Sequence, residues 1–126
     1  KIKRRESFRP FAPSILFEEK NNWFRNSHYN PYMSCVEQIN DSKKHLIPGV
    51  THIDGTGRVQ TITKEFNEHF YDLIHSFSKI SGVPMLLNTS FNENEPVVRK
   101  PEEAINCFLR TEMDILVLED FVVERN

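Results

Sequence analysis

Residues 67–92, NEHFYDLIHSFSKISGVPMLLNTSFN, carry the signals that decide the fold class. Phe70, Leu73, Ile74, Phe77 and Ile80 recur at three- and four-residue spacing, the period of an amphipathic helix over 67–81. Asn67 suits the N-cap, because its short side chain can accept from a free backbone N–H, and Gly82 stands where a C′ glycine is expected. The period then changes. VPMLLN at 83–88 is a short apolar run and predicts a buried strand that ends in small polar residues.

Working upstream, PSILF at 13–17 reads as a strand, and 20–30 as a polar loop with Trp23 and Phe24 turned inward. PYMSCV at 31–36 suits a second strand, and 37–45 is charged and loop-like. LIPGVTHI at 46–53 and RVQTI at 58–62 flank Asp54-Gly55-Thr56-Gly57, which predicts a hairpin. Downstream, a second helix is expected from Pro101, with Glu102 and Glu103 complementing the free N–H groups of its first turn. Ala104, Ile105, Phe108 and Leu109 form its expected core face, and 114–118 and 121–124 read as two further strands. Strands outnumber helices, and few strand pairs are separated by a helix of crossover length. The expected class is therefore α+β, a sheet with helices packed to one side.

The chain has 126 residues, enough for one domain with a real core. With 38% hydrophobic and 27% charged residues and only four glycines, collagenous, low-complexity and wholly disordered classes are excluded. No apolar run approaches the roughly 20 residues that a membrane helix needs. Cys35 and Cys107 are too few for a disulfide scaffold; both are expected to be small buried side chains in a reduced, cytoplasmic protein. The sequence starts at Lys1 within a basic motif and with no secretory apolar segment, which suggests a piece of a longer chain.

The net charge of −2 argues against a nucleic-acid partner, yet the charge is unevenly spread. KIKRRESFR at 1–9 carries five cations and one anion, followed at once by the apolar FAPSIL. If this opening is extended, Lys1, Lys3, Arg5, Ser7 and Arg9 share one face, forming either an anion-binding wall or a solvated arm. A second polar constellation is THIDGTGRVQ at 51–60. A glycine-bracketed turn leading into Arg58 can grip a phosphate, because the guanidinium fork matches two oxygens; the alternative is an ordinary hairpin with a surface arginine. His52 and Asp54 lack a third ligand at zinc spacing, so hydrogen-bonding roles suit them better than metal. The third constellation is Asn88-Thr89-Ser90-Phe91-Asn92, a run of short donors and acceptors that is either part of a binding wall or a polar turn. No GxxxxGK[ST], GxGxxG or GxSxG motif is present.

KIKRRESFRPFAPSIL, PYM, IPGVTHIDGTGRVQT, GVPMLLNTSFNENEPVV and PEEAINCFLRTEMDILVL, in this order, resemble the C-terminal region of the O-carbamoyltransferases, the family of nodulation protein U and the antibiotic-pathway carbamoyltransferases. The resemblance covers almost the whole chain. It implies a YrdC-like twisted mixed sheet with helices packed to one side, and residues 1–126 as one C-terminal domain that works with an absent N-terminal domain of sugar-kinase/actin type. In that family a Lys-x-Arg pair and a Ser-x-Asn pair line the nucleotide pocket. Lys3-Arg4-Arg5 matches the first, Ser90-Phe91-Asn92 the second, and Arg58 the arginine of the HxDGTxRxQ segment. The link after Asn92 is Glu93-Asn94, without the glycine that some members have, so no role is carried onto these two.

The resemblance implies that this region makes carbamoyl-adenylate from ATP and carbamoyl phosphate, and that the absent domain transfers the carbamoyl group to a hydroxyl acceptor. Lys3, Arg58 and Ser90 are the expected catalytic groups. Arg5, Arg9, Asn88, Thr89 and Asn92 join them in binding substrate and nucleotide, with Mg²⁺ held through the ATP phosphates. The competing functional classes are a non-catalytic nucleotide- or RNA-binding module and a structural docking domain. Neither a membrane nor a nucleic acid is an expected partner.

Overall fold

The computed structural model describes residues 2, 3, 6, 8–25 and 28–125. The chain folds as two compact units, 8–89 and 1–7 with 90–126.

The 8–89 unit is built on β1 (Ala12–Leu16), every residue of which is buried. β1 lies between β4 (Gln60–Ile62), to which it is parallel, and β5 (Met85–Asn88), to which it is antiparallel. Ile15 therefore faces Thr61 on one side and Met85 on the other. A small second sheet pairs β2 (Val36–Gln38) with β3 (Thr56–Arg58). Ile15, Trp23, Phe24, Ile39, Ile47, Val50, Val59 and Met85 make the core of this unit. Trp23 and Phe24 point inward as expected, although residues Lys20–Trp23 form a helical turn, α1, and not loop.

The long helix is α2, Glu68–Ser81, with Ile74 buried against Leu16 and Ile62. The Asn67 side chain accepts from Phe70 N–H at 3.0 Å, and Gly82 ends the helix in the left-handed region at φ 73°. The start and stop signals are both where the sequence puts them. The apolar face is rotated, however: Phe70 and Tyr71 pack beside Ile74, while Leu73, Phe77 and Ile80 are exposed.

The predicted hairpin of 46–53 with 58–62 does not form. Pro48 has no N–H for a strand ladder, and residues Lys44–Leu46 and Pro48–Val50 wind into 3₁₀ turns that bury Ile47 and Val50. The turn before β3 is closed by His52 N–H to Thr56 O at 2.8 Å, with Gly55 at φ 79°, and the strand that pairs with β3 is β2. The predicted 58–62 strand is two short strands in different sheets, separated by the buried Val59. Of the predicted 31–36 strand only Val36 is in a strand: Pro31 and Tyr32 form a turn, and the Asn30 side-chain Oδ1 accepts from Ser34 N–H and Oγ, both at 2.9 Å.

In the other unit, α3 (Pro101–Arg110) packs Ala104 and Phe108 against Leu116 of the hairpin β6 (Ile115–Leu118) and β7 (Phe121–Glu124). Cys107 completes the buried face, and Ile105 and Leu109 are exposed, contrary to the periodic expectation. Glu103 reaches back to accept from Arg99 and Lys100 N–H at 2.9 and 3.2 Å. The fold is α+β: the described residues form a mixed three-stranded sheet, two small antiparallel sheets and three α-helices. Among the described residues no helix is long and apolar enough to cross a membrane. Of the two cysteines, Cys107 is buried as expected but Cys35 is exposed.

Candidate functional site

The expected site residues divide between the two units. In the 90–126 unit, Lys3 is brought to the polar corner that follows β5. Its Nζ donates to Ser90 Oγ at 2.9 Å and to Asn92 Oδ1 at 2.7 Å, and Ser90 Oγ donates to the same Asn92 oxygen at 2.7 Å. An ammonium, a hydroxyl and an amide from positions nearly 90 residues apart in sequence thus meet at one point. The corner is held from below. Phe91 packs onto the α3 core, Val98 N–H donates to Phe91 O at 2.9 Å, and Asn92 Nδ2 donates to Glu95 O at 2.5 Å.

Glu95 closes the loop, a role that the sequence did not suggest. Its carboxylate accepts from Glu93 and Asn94 N–H at 3.2 and 3.0 Å and from Arg110 Nη2 at 2.8 Å. Its own backbone N–H first, then those of Asn94 and Glu93, hold the carboxyl down to about 2, against the opposing effect of burial. A depressed folded value means that this stabilisation is fully present above the ordinary 4.5 and is lost as pH falls toward about 2. The melting temperature of the wild type is therefore expected to fall more steeply over that acid window than that of Glu95→Gln. Parallel melting curves for the two would contradict it.

In the 8–89 unit, Arg58 ends β3 opposite Val36, exposed, and its guanidinium makes no hydrogen bond among the described residues. The turn before it is a hydrogen-bonded knot. Asp54 Oδ1 accepts from Thr56 N–H at 3.0 Å and Oγ at 2.7 Å, and Thr56 Oγ lies 3.0 Å from His52 Nδ1. The Thr56 hydroxyl is the first cause of the lowered Asp54 pKa. His52 and Asp54 thus tie the turn that leads into Arg58. Asn88 ends β5 and donates from Nδ2 to Gln60 Oε1 at 2.6 Å; Thr89 follows it, exposed. Arg9 is exposed in this unit, whereas Arg5 lies outside the described residues. The extended opening is not borne out in what is described: no described residue before Ala12 is in a strand, with a bend at Lys3 and a turn at Phe8.

A cavity of about 540 Å³ in the 8–89 unit is lined by Glu18, Trp23, Lys43, Tyr71 and His75, among others, and by none of the expected site residues. It sits by Leu16 and Pro84, at the opposite end of the β1/β5 pair from Asn88. Its charges already satisfy one another in part, since the Tyr71 hydroxyl donates to Glu18, which pushes the phenol up to about 12.

Comparison with known families settles the class. The description "Carbamoyltransferase C-terminus" matches residues 1–125. The chain belongs to this family. It is 41% identical, over 98% of its length, to nodulation protein NolNO of Sinorhizobium fredii, covering 19% of that protein. It is 41% identical to nodulation protein NolO of Bradyrhizobium diazoefficiens, again over 98% of its length and 23% of that protein. The 3'-hydroxymethylcephem-O-carbamoyltransferase of Amycolatopsis lactamdurans is 33% identical over 92% of the chain and 22% of its own length. The carbamoyltransferase C-terminal chain thus spans about a fifth to a quarter of the curated relatives it matches.

Proposed function

We propose that this chain is the carbamoyl-adenylate-forming part of an O-carbamoyltransferase, and that an N-terminal domain of the same protein passes the carbamoyl group to a hydroxyl. Carbamoyl phosphate, ATP and one water give carbamoyl-adenylate, phosphate and pyrophosphate. Both reactants are anions, so the protein's task is to place positive charge and oriented donors around phosphate oxygens. The observation that carries this reading is the meeting of Lys3 Nζ with Ser90 Oγ and Asn92 Oδ1.

Lys3 would neutralise ATP phosphates, with Arg5 and Arg9 adding charge from the same opening. Ser90 and Asn92 would hydrogen-bond phosphate oxygens, Arg58 would clamp carbamoyl phosphate, and Asn88 and Thr89 would shape the wall. No group of three or more His, Cys, Asp or Glu side chains suited to a metal occurs among the described residues. Neutral Ser90 and Asn92 fit an ion that arrives on the nucleotide; when bound, Mg²⁺ would supply charge neutralisation on the phosphates.

The full-length enzyme is expected to exchange pyrophosphate into ATP only when carbamoyl phosphate is present. Losing one charge-assisted contact, worth about 1.5–3 kcal/mol, should slow that exchange roughly ten- to a hundredfold in Lys3→Met. Exchange at the wild-type rate in Lys3→Met would sink the assignment.

A further inference from the structure

We infer that Gln60 is a positioning residue that turns the Asn88 side chain so that its carbonyl oxygen is offered to a planar NH₂ group of the ligand. The orientation follows from one obligate acceptor. Pro31 O can only accept, and it lies 2.8 Å from the Gln60 amide nitrogen, so that end of the amide must be Nε2. Gln60 Oε1 is then fixed on the other side, where it accepts from Ser14 Oγ and from Asn88 Nδ2, each at 2.6 Å. Flipping Asn88 would set its carbonyl oxygen against Gln60 Oε1, acceptor against acceptor.

The network is anchored in the sheet. Ser14 is fully buried in β1 and stands opposite Gln60 in the parallel ladder, while Asn88 pairs with Ala12. Pro31 is held in turn by its neighbour Asn30, whose N–H donates to Thr61 Oγ at 2.8 Å and whose Nδ2 donates to Val59 O at 2.9 Å. Asn88 itself is half-buried, and its Oδ1 has no hydrogen-bond partner among the described residues. An acceptor fixed in this way repels phosphate oxygens and suits an sp² amino group.

This inference rests on the proposed function, and both reactants of that reaction carry such a group, the carbamoyl NH₂ and the adenine 6-amino. Asn88 would therefore discriminate between reactants and analogues that lack the amine. A site built to hydrogen-bond one substrate group rejects the analogue without it, because its own polar atom is then left unpaired.

The test uses the full-length enzyme and two matched pairs, carbamoyl against acetyl phosphate and ATP against ITP, with affinities measured by calorimetry. The wild type is expected to prefer the amine-bearing member of one pair by about tenfold or more; which pair responds names the ligand. Gln60→Met, similar in size but lacking the acceptor, should bring that preference close to unity. Asn88→Leu, similar in size but lacking the offered oxygen itself, should do the same. A role in stability alone would instead lower both variants' melting temperatures and leave the preference unchanged, which overturns the inference. So does a wild type that binds both reactants without preference. If the wild type binds neither carbamoyl phosphate nor ATP, the proposed function falls together with the inference. Should Gln60→Met fail to fold, Asn88→Leu decides alone: lost preference supports the offered Asn88 oxygen, and retained preference overturns the inference.

Discussion

Arg58→Lys is expected to cost nearly as much activity as Arg58→Ala, about ten- to a hundredfold in carbamoyl-phosphate-dependent pyrophosphate exchange. The two substitutions differ in charge but share one loss. Lysine keeps the positive charge as a point on a flexible stem, whereas arginine offers a planar fork that meets two phosphate oxygens at once. The position favours such a fork. Arg58 is the last residue of a strand held by Val36, it follows a turn tied by Asp54, Thr56 and His52, and it makes no competing hydrogen bond among the described residues. Its exposed backbone position leaves folding out of the effect, so melting temperatures of both variants should stay close to the wild type. Wild-type exchange in both variants would remove Arg58 from the reaction. Near-wild-type exchange in Arg58→Lys alone would leave a requirement for charge without the bidentate clamp.

The largest stability effect is expected at the Lys20 and Glu37 pair. Lys20 Nζ is fully buried at the start of α1, 2.6 Å from Glu37 Oε1 and 2.5 Å from His28 O. Glu37 Oε2 is also buried and has no partner among the described residues. Removing one member strands the other charge in the interior, so Lys20→Met should destabilise the fold by about 3–5 kcal/mol. Replacing both with apolar side chains removes the stranded charge and the orphaned oxygen together. Lys20→Met with Glu37→Leu should therefore recover most of that loss. Urea unfolding followed by the fluorescence of Trp23, the one tryptophan of the chain, reads this directly. Additive losses in the double variant would show that the two side chains do not act as a pair.

These two sites differ in how visible they are in sequence. Arg58 stands in a compact motif in which turn residues, a glycine and a guanidinium fall within seven positions, so local chemistry alone marks it. Asn67, Gly82 and Pro101 were legible for the same reason, because caps act on backbone groups within a few residues. Lys20 and Glu37 are 17 residues apart in polar surroundings that look solvated, and only the path of the chain buries them. The partner of β3 was missed for a related reason. The turn at Gly55 was legible, but the preceding apolar stretch contains Pro48 and buries Ile47 and Val50 three residues apart, a spacing that falls on one face of a 3₁₀ turn and on opposite faces of a strand. Apolar helix positions were overcounted because Leu73, Ile80, Ile105 and Leu109 satisfy a helical period while remaining exposed. At the site, the meeting of Lys3 with Ser90 and Asn92 was anticipated from the family resemblance; Gln60 and Glu95, which act through neighbouring side chains and backbone, carry no motif of their own.

The placement of β1 has a kinetic corollary. Ser14 meets its neighbour in the parallel ladder 46 residues downstream, and the antiparallel partner is made later still. Contacts so distant must wait for long loops to close, which slows folding compared with a chain of local pairings. During synthesis the apolar β1 segment leaves the ribosome well before either flank exists, and it stays adhesive until Asn88 has cleared the exit tunnel.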